Sequence, residues 1–270
     1  MELLFNISEL AIVTGDNPYK TKRDYLIDFW KKHDKCDYEK HVKLANFVKE
    51  DDYDIINKIT NSNGIDIKKE LGASIKSKNT VELNEVKKEI FKKMEGLNED
   101  IKKEITKSLN NVTNTKFGTS NEHDVTKLYA EMTGSSIIKD DKYRKKIIYE
   151  HENFKIVIGG KIDGFNNENG SIIEIKNRIH KLFYTLRDYE KVQIMAYLHL
   201  FKANVGHLVE AHKKENNTLI NIIEVEYDKE FMDYIFKHLL EFSIFFMNFL
   251  NDGNAKINLL QNKDEIIIKV

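Results

Sequence analysis

Residues 154–176 read FKIVIGGKIDGFNNENGSIIEIK. Two apolar runs, Phe154 to Ile158 and Ser171 to Ile175, have the length of strands. Between them Asn166-Asn167-Glu168-Asn169-Gly170 is a run of residues that bond their own backbone or accept positive φ, and so favour a turn. With Lys146 to Tyr149 just upstream, the pattern predicts three strands in an antiparallel meander. Alternate residues of a strand share a face, so Glu174 and Lys176 project together while Ile173 and Ile175 point to the other side. The hairpin brings Asp163, in Gly160-Lys161-Ile162-Asp163-Gly164, to the neighbouring strand, where its carboxylate can converge with that of Glu174.

Two carboxylates at one point repel each other and lose solvation unless a cation or a proton relieves them. Hard oxygen ligands in this number suit Mg²⁺ or Mn²⁺, which take one or two carboxylates, water and a substrate phosphate. A lysine beside them, Lys176, can orient or deprotonate an attacking water, or steady the charge on phosphorus. Together these make a phosphodiesterase site. The same Asp-Gly turn and Glu-x-Lys strand on an exposed hairpin would be a solvated ion pair of little energy, so the flanking sequence has to decide.

Upstream, Thr119 or Ser120 after Phe117-Gly118 can cap a helix that runs through Glu122, Val125, Leu128 and Tyr129 and stops at Gly134. Downstream, residues 188–201 have helical periodicity and set Gln193 and Tyr197 four apart on one face. Gly206 to Ala211 and Leu219 to Tyr227 alternate like strands around a Lys213 to Asn217 loop, and a long amphipathic helix covers about 229–250. At the start, Ser8 is a plausible N-cap for a short helix, a break falls at Gly15-Asp16-Asn17-Pro18, and Thr21 to Lys32 is again helical. The expected fold is α/β, a mixed central β-sheet flanked by helices with an additional helical lobe. Residues 1–50 form the N-terminal helical part of the core, 51–115 a helical lobe or insertion, and 116–270 the rest of one compact core.

Composition narrows the class by exclusion. Lys plus Arg total 43 against 44 Asp plus Glu, so attraction to a nucleic acid must come from local asymmetry rather than net charge. One cysteine, Cys36, supports neither a disulfide framework nor a thiolate metal site, and no Gly-rich Lys-Ser/Thr loop of a nucleotide-driven motor is present. The first ten residues lack a basic leader and a long apolar run, and Phe231 to Leu250 carries Asp233, Lys237, His238 and Glu241. The expectation is a soluble, intracellular protein with no membrane partner.

The order Glu122, Asp163, Glu174-x-Lys176, Gln193-x-x-x-Tyr197 resembles the PD-(D/E)xK nuclease superfamily in its RecB-like form, with Gly-Lys-Ile-Asp-Gly where the name has Pro-Asp. Ile7-Ser8-Glu9-Leu10-Ala11 and Gly15-Asp16-Asn17-Pro18-Tyr19-Lys20 look like the amino-terminal segment of YqaJ-like viral recombinases, close to lambda exonuclease. The resemblance covers roughly residues 7–32 and 117–250. It implies a restriction-endonuclease-like core and a Mg²⁺- or Mn²⁺-dependent DNA exonuclease acting on duplex ends in recombination, repair or viral genome processing. In a virus it would work in the cytoplasm or nucleus of a host cell. A single-strand annealing protein and a homo-oligomer are the partners it implies.

By the same resemblance Asp163 and Glu174 are metal ligands with the Ile175 backbone carbonyl, Lys176 is catalytic, and Glu122 completes the site, with His123 its rival. Gln193, Tyr197 and Tyr189 would touch the substrate strand, while Ser8, Asn17 and Tyr19 would line a pocket for a terminal phosphate, although no arginine stands near Ser8. The run Lys176, Arg178, His180, Lys181, Arg187 either meets the phosphate backbone, with Arg178 foremost, or is a solvated loop. An endonuclease or RNase on the same fold, and a non-catalytic nucleic-acid-binding relative, are the alternatives.

Overall fold

The structure is a computed structural model that describes residues 1–77, 79–120, 122–215 and 217–262, apart from the side chains of 115–120, 122 and 123. Strand β1 (Glu2–Asn6) leads through a 3-10 turn at Ile7–Glu9 into α1 (Leu10–Thr14), α2 (Lys22–His33) and α3 (Lys35–Ala45). Four helices follow: α4 (Asp52–Ser62), α5 (Lys68–Lys76), α6 (Thr80–Lys93) and α7 (Glu99–Ser120). Then come α8 (Glu122–Thr133), β2 (Ile137–Ile138), β3 (Arg144–Glu150), β4 (Lys155–Gly160), β5 (Gly164–Asn166) and β6 (Ile172–Arg178). The chain continues with α9 (Asp188–Phe201), the hairpin of β7 (Val205–Lys214) and β8 (Asn217–Glu226), α10 (Lys229–Phe249) and α11 (Gly253–Gln261).

The architecture is α/β with helices on both sides of mixed sheets, but among the described residues the sheets number two, in the orders β1-β4-β3 and β2-β5-β6-β7-β8. The predicted meander therefore divides. β3 and β4 do pair antiparallel, whereas β6 pairs antiparallel with β5 and parallel with β7. The chain leaves β4 at Gly160, bends, and re-enters the second sheet at Gly164, where β2 comes so close that a Cβ would lie 2.5 Å from Ile137 Cγ2 and 2.6 Å from the Ile138 carbonyl. Only glycine allows that approach, since backbone cannot step aside. The Asn166 to Gly170 turn then forms as its composition predicts, with Asn166 Oδ1 accepting from the amides of Glu168 at 2.9 Å and Asn169 at 3.3 Å.

Strand β1 has no counterpart in the sequence reading. Glu2-Leu3-Leu4-Phe5-Asn6 runs parallel to β4 and buries Leu3 and Phe5 completely. As an edge strand it would offer open backbone groups for unwanted pairing. Helix α2 covers them, because His33 Nε2 accepts from the Leu4 amide at 2.9 Å and Lys32 Nζ donates to the Leu4 carbonyl at 2.9 Å. Ser8 lies exposed inside the 3-10 turn and caps nothing; Asn6 precedes that turn and Glu9 precedes α1, neither with a side-chain cap bond.

The main core fills the space between the first sheet, α1, α2, α9 and α10. Helix α10 starts at Asp228, whose carboxylate accepts from the Phe231 amide, and presents Met232, Ile235, Leu239, Phe242, Phe246 and Phe249 at helical spacing. Phe29 packs edge-on against Phe242 and Phe246, with ring centroids at 5.3 Å and 4.9 Å. Among the described residues no helix is long and apolar enough to cross a membrane.

The second sheet is packed on both faces. Ile173 and Ile175 lie with Val209 and Ala211 under Val125 and Tyr129 of α8, while Ile172 and Leu208 face the core shared with α9. Helices α4 to α7 enclose a separate apolar cluster that includes Ile56, Ile67, Ile90, Met94, Ile105 and Leu109. They abut the C-terminal ends of β6 and β7, where Thr80 Oγ1 donates to the Lys213 carbonyl at 3.0 Å and Leu83 packs on Ile179. Helix α7 continues through Phe117 to Ser120, where the sequence pattern placed a helix start; α8 ends at Gly134 with φ +74°, as expected. The β7–β8 strands extend further than predicted and leave a shorter connection, with Glu215 at φ +52°.

Candidate active site

Glu174 sits on β6 between two helical layers and is only 7% exposed. Lys176, two residues on and therefore on the same face, donates from Nζ to Glu174 Oε1 at 2.8 Å and to Gln193 Oε1 at 2.9 Å. Gln193 Nε2 closes the triangle by donating to the same Glu174 oxygen at 2.8 Å. Asp163 arrives from the bend between the two sheets, and its Oδ2 accepts the Ile175 amide at 2.6 Å. The bend that divides the expected meander is thus what delivers Asp163 to the strand carrying Glu174 and Lys176.

Electrostatics follow from this confinement. Burial, with the Asp163 charge adding to it, pushes the Glu174 carboxyl up to about 7, although Lys176 and Gln193 pull against the shift. Burial lowers Lys176, but Glu174, Glu190 and Asp163 outweigh it and hold the ammonium above its ordinary range. Lys176 is therefore a fixed cation, suited to orienting water and offsetting negative charge rather than to taking a proton.

Tyr197 stands one turn beyond Gln193, 4% exposed, with burial and then Glu174 holding its hydroxyl well above the usual tyrosine range. Its ring lies against Gly160, where a Cβ would meet Cε1 at 2.7 Å. The glycine before the bend is what lets Tyr197 back the Gln193 amide. Both residues belong to the packed wall of the site, with Gln193 oriented by Lys176 and Glu174.

The donor set fits a hard divalent cation. Asp163 and Glu174 offer carboxylate oxygens beside the Ile175 main chain, and the raised Glu174 carboxyl marks a place where positive charge is wanted. Among the described residues no group of three His, Cys, Asp or Glu side chains forms a ready cage. The side chains of Glu122 and His123, between which the sequence left a choice, lie outside the described residues.

Arg178 corrects an expectation. Instead of facing a backbone it is drawn inward, paired with Glu190 at 2.7 Å and with Glu210 at 2.8 Å, and both carboxylates are fully buried. Glu210 also accepts from the amides of Phe183 and Tyr184 at 3.2 Å and 2.9 Å and from Asn221 Nδ2 at 3.2 Å. The network ties the 179–187 loop between the site strand and α9. Phe183 lies between the Arg178 and Arg187 guanidinium groups, each 4.4 Å from its ring centre. Neither Glu190 nor Glu210 emerged from the sequence reading; the one signal was a carboxylate at position 210 inside the apolar Leu208 to Ala211 run.

A cleft of about 980 Å³ opens from Lys176 between the α4 and α7 helices and the α2 side of the core, and Tyr19 lines it. Asn17 does not reach into it; its Oδ1 accepts the amides of Tyr19 and Lys20 at 2.8 Å and 3.0 Å. Ser8, exposed in the 3-10 turn, is not among the residues that line this cleft. Tyr189 meets Tyr19 edge to face, with centroids 5.6 Å apart.

No family model and no curated protein matches the sequence. Solved structures do overlap in part. A phage-related exonuclease from Haemophilus somnus 129PT is 16% identical over 51% of this chain and 72% of its own, with a TM-score of 0.40. An alkaline exonuclease from Laribacter hongkongensis is 15% identical over 54% and 72%, with a TM-score of 0.39. The chemistry of the site follows from its own geometry.

The raised Glu174 carboxyl has a measurable consequence in metal-free protein. A carboxyl whose folded pKa of about 7 exceeds its unfolded value of 4.5 contributes stability that is complete below pH 4.5 and lost as pH rises through 7. Glu174→Gln keeps the neutral form at every pH. In EDTA it should therefore gain on the wild type between pH 5 and 8, by up to about 3 kcal/mol. Urea unfolding at the two pH values checks this, and an equal difference at both would remove the assignment.

Proposed function

We propose that this chain is a divalent-metal-dependent nuclease that hydrolyses phosphodiester bonds in DNA, acting from strand ends. The observation that carries the reading is the joining of Asp163, Glu174, Lys176 and Gln193 at the base of the cleft, where the Lys176 ammonium bonds both Glu174 and Gln193 while Asp163 is held beside them by the Ile175 amide. A Mg²⁺ or Mn²⁺ ion held by Asp163, Glu174 and the Ile175 carbonyl would supply Lewis acidity toward a phosphate oxygen. Lys176 orients the attacking water in line with the leaving oxygen and offsets the charge that develops on phosphorus. Gln193 keeps the ammonium aimed while Tyr197 backs the amide and keeps water from behind it. The resemblance of this residue order to RecB-like and YqaJ-like nucleases implies action on duplex ends in recombination, repair or viral genome processing, with a single-strand annealing protein as partner.

The test is digestion of end-labelled linear duplex, covalently closed circular DNA and single-stranded RNA, each with Mg²⁺, Mn²⁺ or EDTA, by wild type and by Asp163→Asn. Loss of linear DNA alone, dependent on metal and absent in the variant, is the expected result. Nicking of the circle would replace the exonuclease with an endonuclease, cutting of RNA would change the substrate, and no cleavage of any substrate would leave a binding protein.

A further inference from the structure

The cleft that opens from Lys176 is a poor surface for a phosphate backbone. Among the described residues six carboxylates line it against four lysines, and two of those lysines, Lys20 and Lys49, are paired with Asp28. A strand carrying a charge on every nucleotide gains nothing from such walls. Near the mouth, however, stands an aromatic ring that nothing buries. Tyr19 is 72% exposed, yet it is held in place, because the Asn17 side chain accepts its amide and Tyr189 supports the ring at 81°. The Asn17 amide in turn donates to the Ala11 carbonyl at 2.9 Å, anchoring the segment to α1. A fixed, solvated aromatic beside an acidic wall is matched to an uncharged, flat group.

We infer that Tyr19 is a stacking platform for a nucleobase of the strand being cut, which turns the bases toward Tyr19 and leaves the backbone to approach Lys176. This rests on the nuclease reading and adds to it how the strand is oriented. Stacking is tolerant of base identity, so the platform would steer a single strand into the site without selecting sequence.

The experiment is a two-by-two comparison of binding in EDTA, where no strand is cut. Wild type and Tyr19→Ala are titrated with a fluorescent single-stranded oligodeoxynucleotide and with versions carrying one abasic position, moved stepwise in from each end. Tyr19→Ala should weaken binding of the intact strand about 5- to 100-fold, and at one position the abasic strand should bind both proteins alike. Tyr19→Trp should bind as well as wild type or better, and 2-aminopurine at the same position should be quenched by wild type and Tyr19→Trp only. An equal loss on intact and abasic strands at every position, no loss at all, or no binding would overturn the inference. Base-dependent coupling without Mg²⁺-dependent cleavage would keep the platform and remove the nuclease; cleavage without coupling would do the reverse.

Discussion

Lys176→Met should lower the cleavage rate about 1,000-fold at saturating DNA and Mg²⁺ while the protein stays folded and still binds metal. Among the described residues the side chain removed is the one ammonium bonded to Glu174, and its stem is replaced by one of similar length. Without it burial and the Asp163 charge push the Glu174 carboxyl up further, and a metal ion no longer has to displace an ammonium from the site. The metal needed for half-maximal stabilisation should therefore fall in the variant, even as turnover collapses. Opposite movement of the two readouts separates a cation that acts on the reacting phosphate from one that merely holds the site together. Thermal shift against Mn²⁺ and single-turnover cleavage measure them; parallel loss of metal affinity and rate would contradict the assigned role.

Glu210→Ala should cost about 3–5 kcal/mol in urea unfolding, because it leaves the Arg178 guanidinium with one partner and strands the Phe183 and Tyr184 amides. Removing half of a buried pair is far worse than removing both. Arg178→Met leaves Glu190 and Glu210 buried without their counter-ion, so the double variant Arg178→Met with Glu210→Met should be more stable than Arg178→Met alone, the opposite of additive behaviour. If Glu210→Ala lay within 1 kcal/mol of wild type, the 179–187 loop would have to be anchored elsewhere.

The same network shows where sequence reading reaches its limit. Glu174 and Lys176 are legible because a strand has a period of two, and Gln193 and Tyr197 because a helix sets residues four apart on one face. Asp163 is legible as the polar residue of a Gly-rich bend. All five depend on local geometry. Arg178 is not legible in this way: in sequence it stands among His180, Lys181 and Arg187 and looks like part of a basic surface, while the carboxylates that bury it come from positions 190 and 210. Pairing across such separations is fixed by tertiary packing, and no periodicity announces it. The division of the sheet was hidden for a related reason, since β5 has three residues, too few to show alternation. The cleft, made by helices α4 and α7 against α2, has no local signature at all.

The parallel pairing of β1 with β4 sets a schedule for synthesis. Glu2 lies opposite Lys155, a separation of 153 positions, so Leu3 and Phe5 have no sheet to join until more than half the described chain has been made. At a translation rate of about 5–20 residues per second the wait is on the order of ten seconds, during which Leu3 and Phe5 and the inner edge of β1 lack their sheet partner. α2, some twenty residues on, carries the His33 and Lys32 groups that bond the outer edge of β1 in the finished fold, and it is available long before the inner partner. A nascent chain of this protein would thus meet its edge guard first and its sheet last.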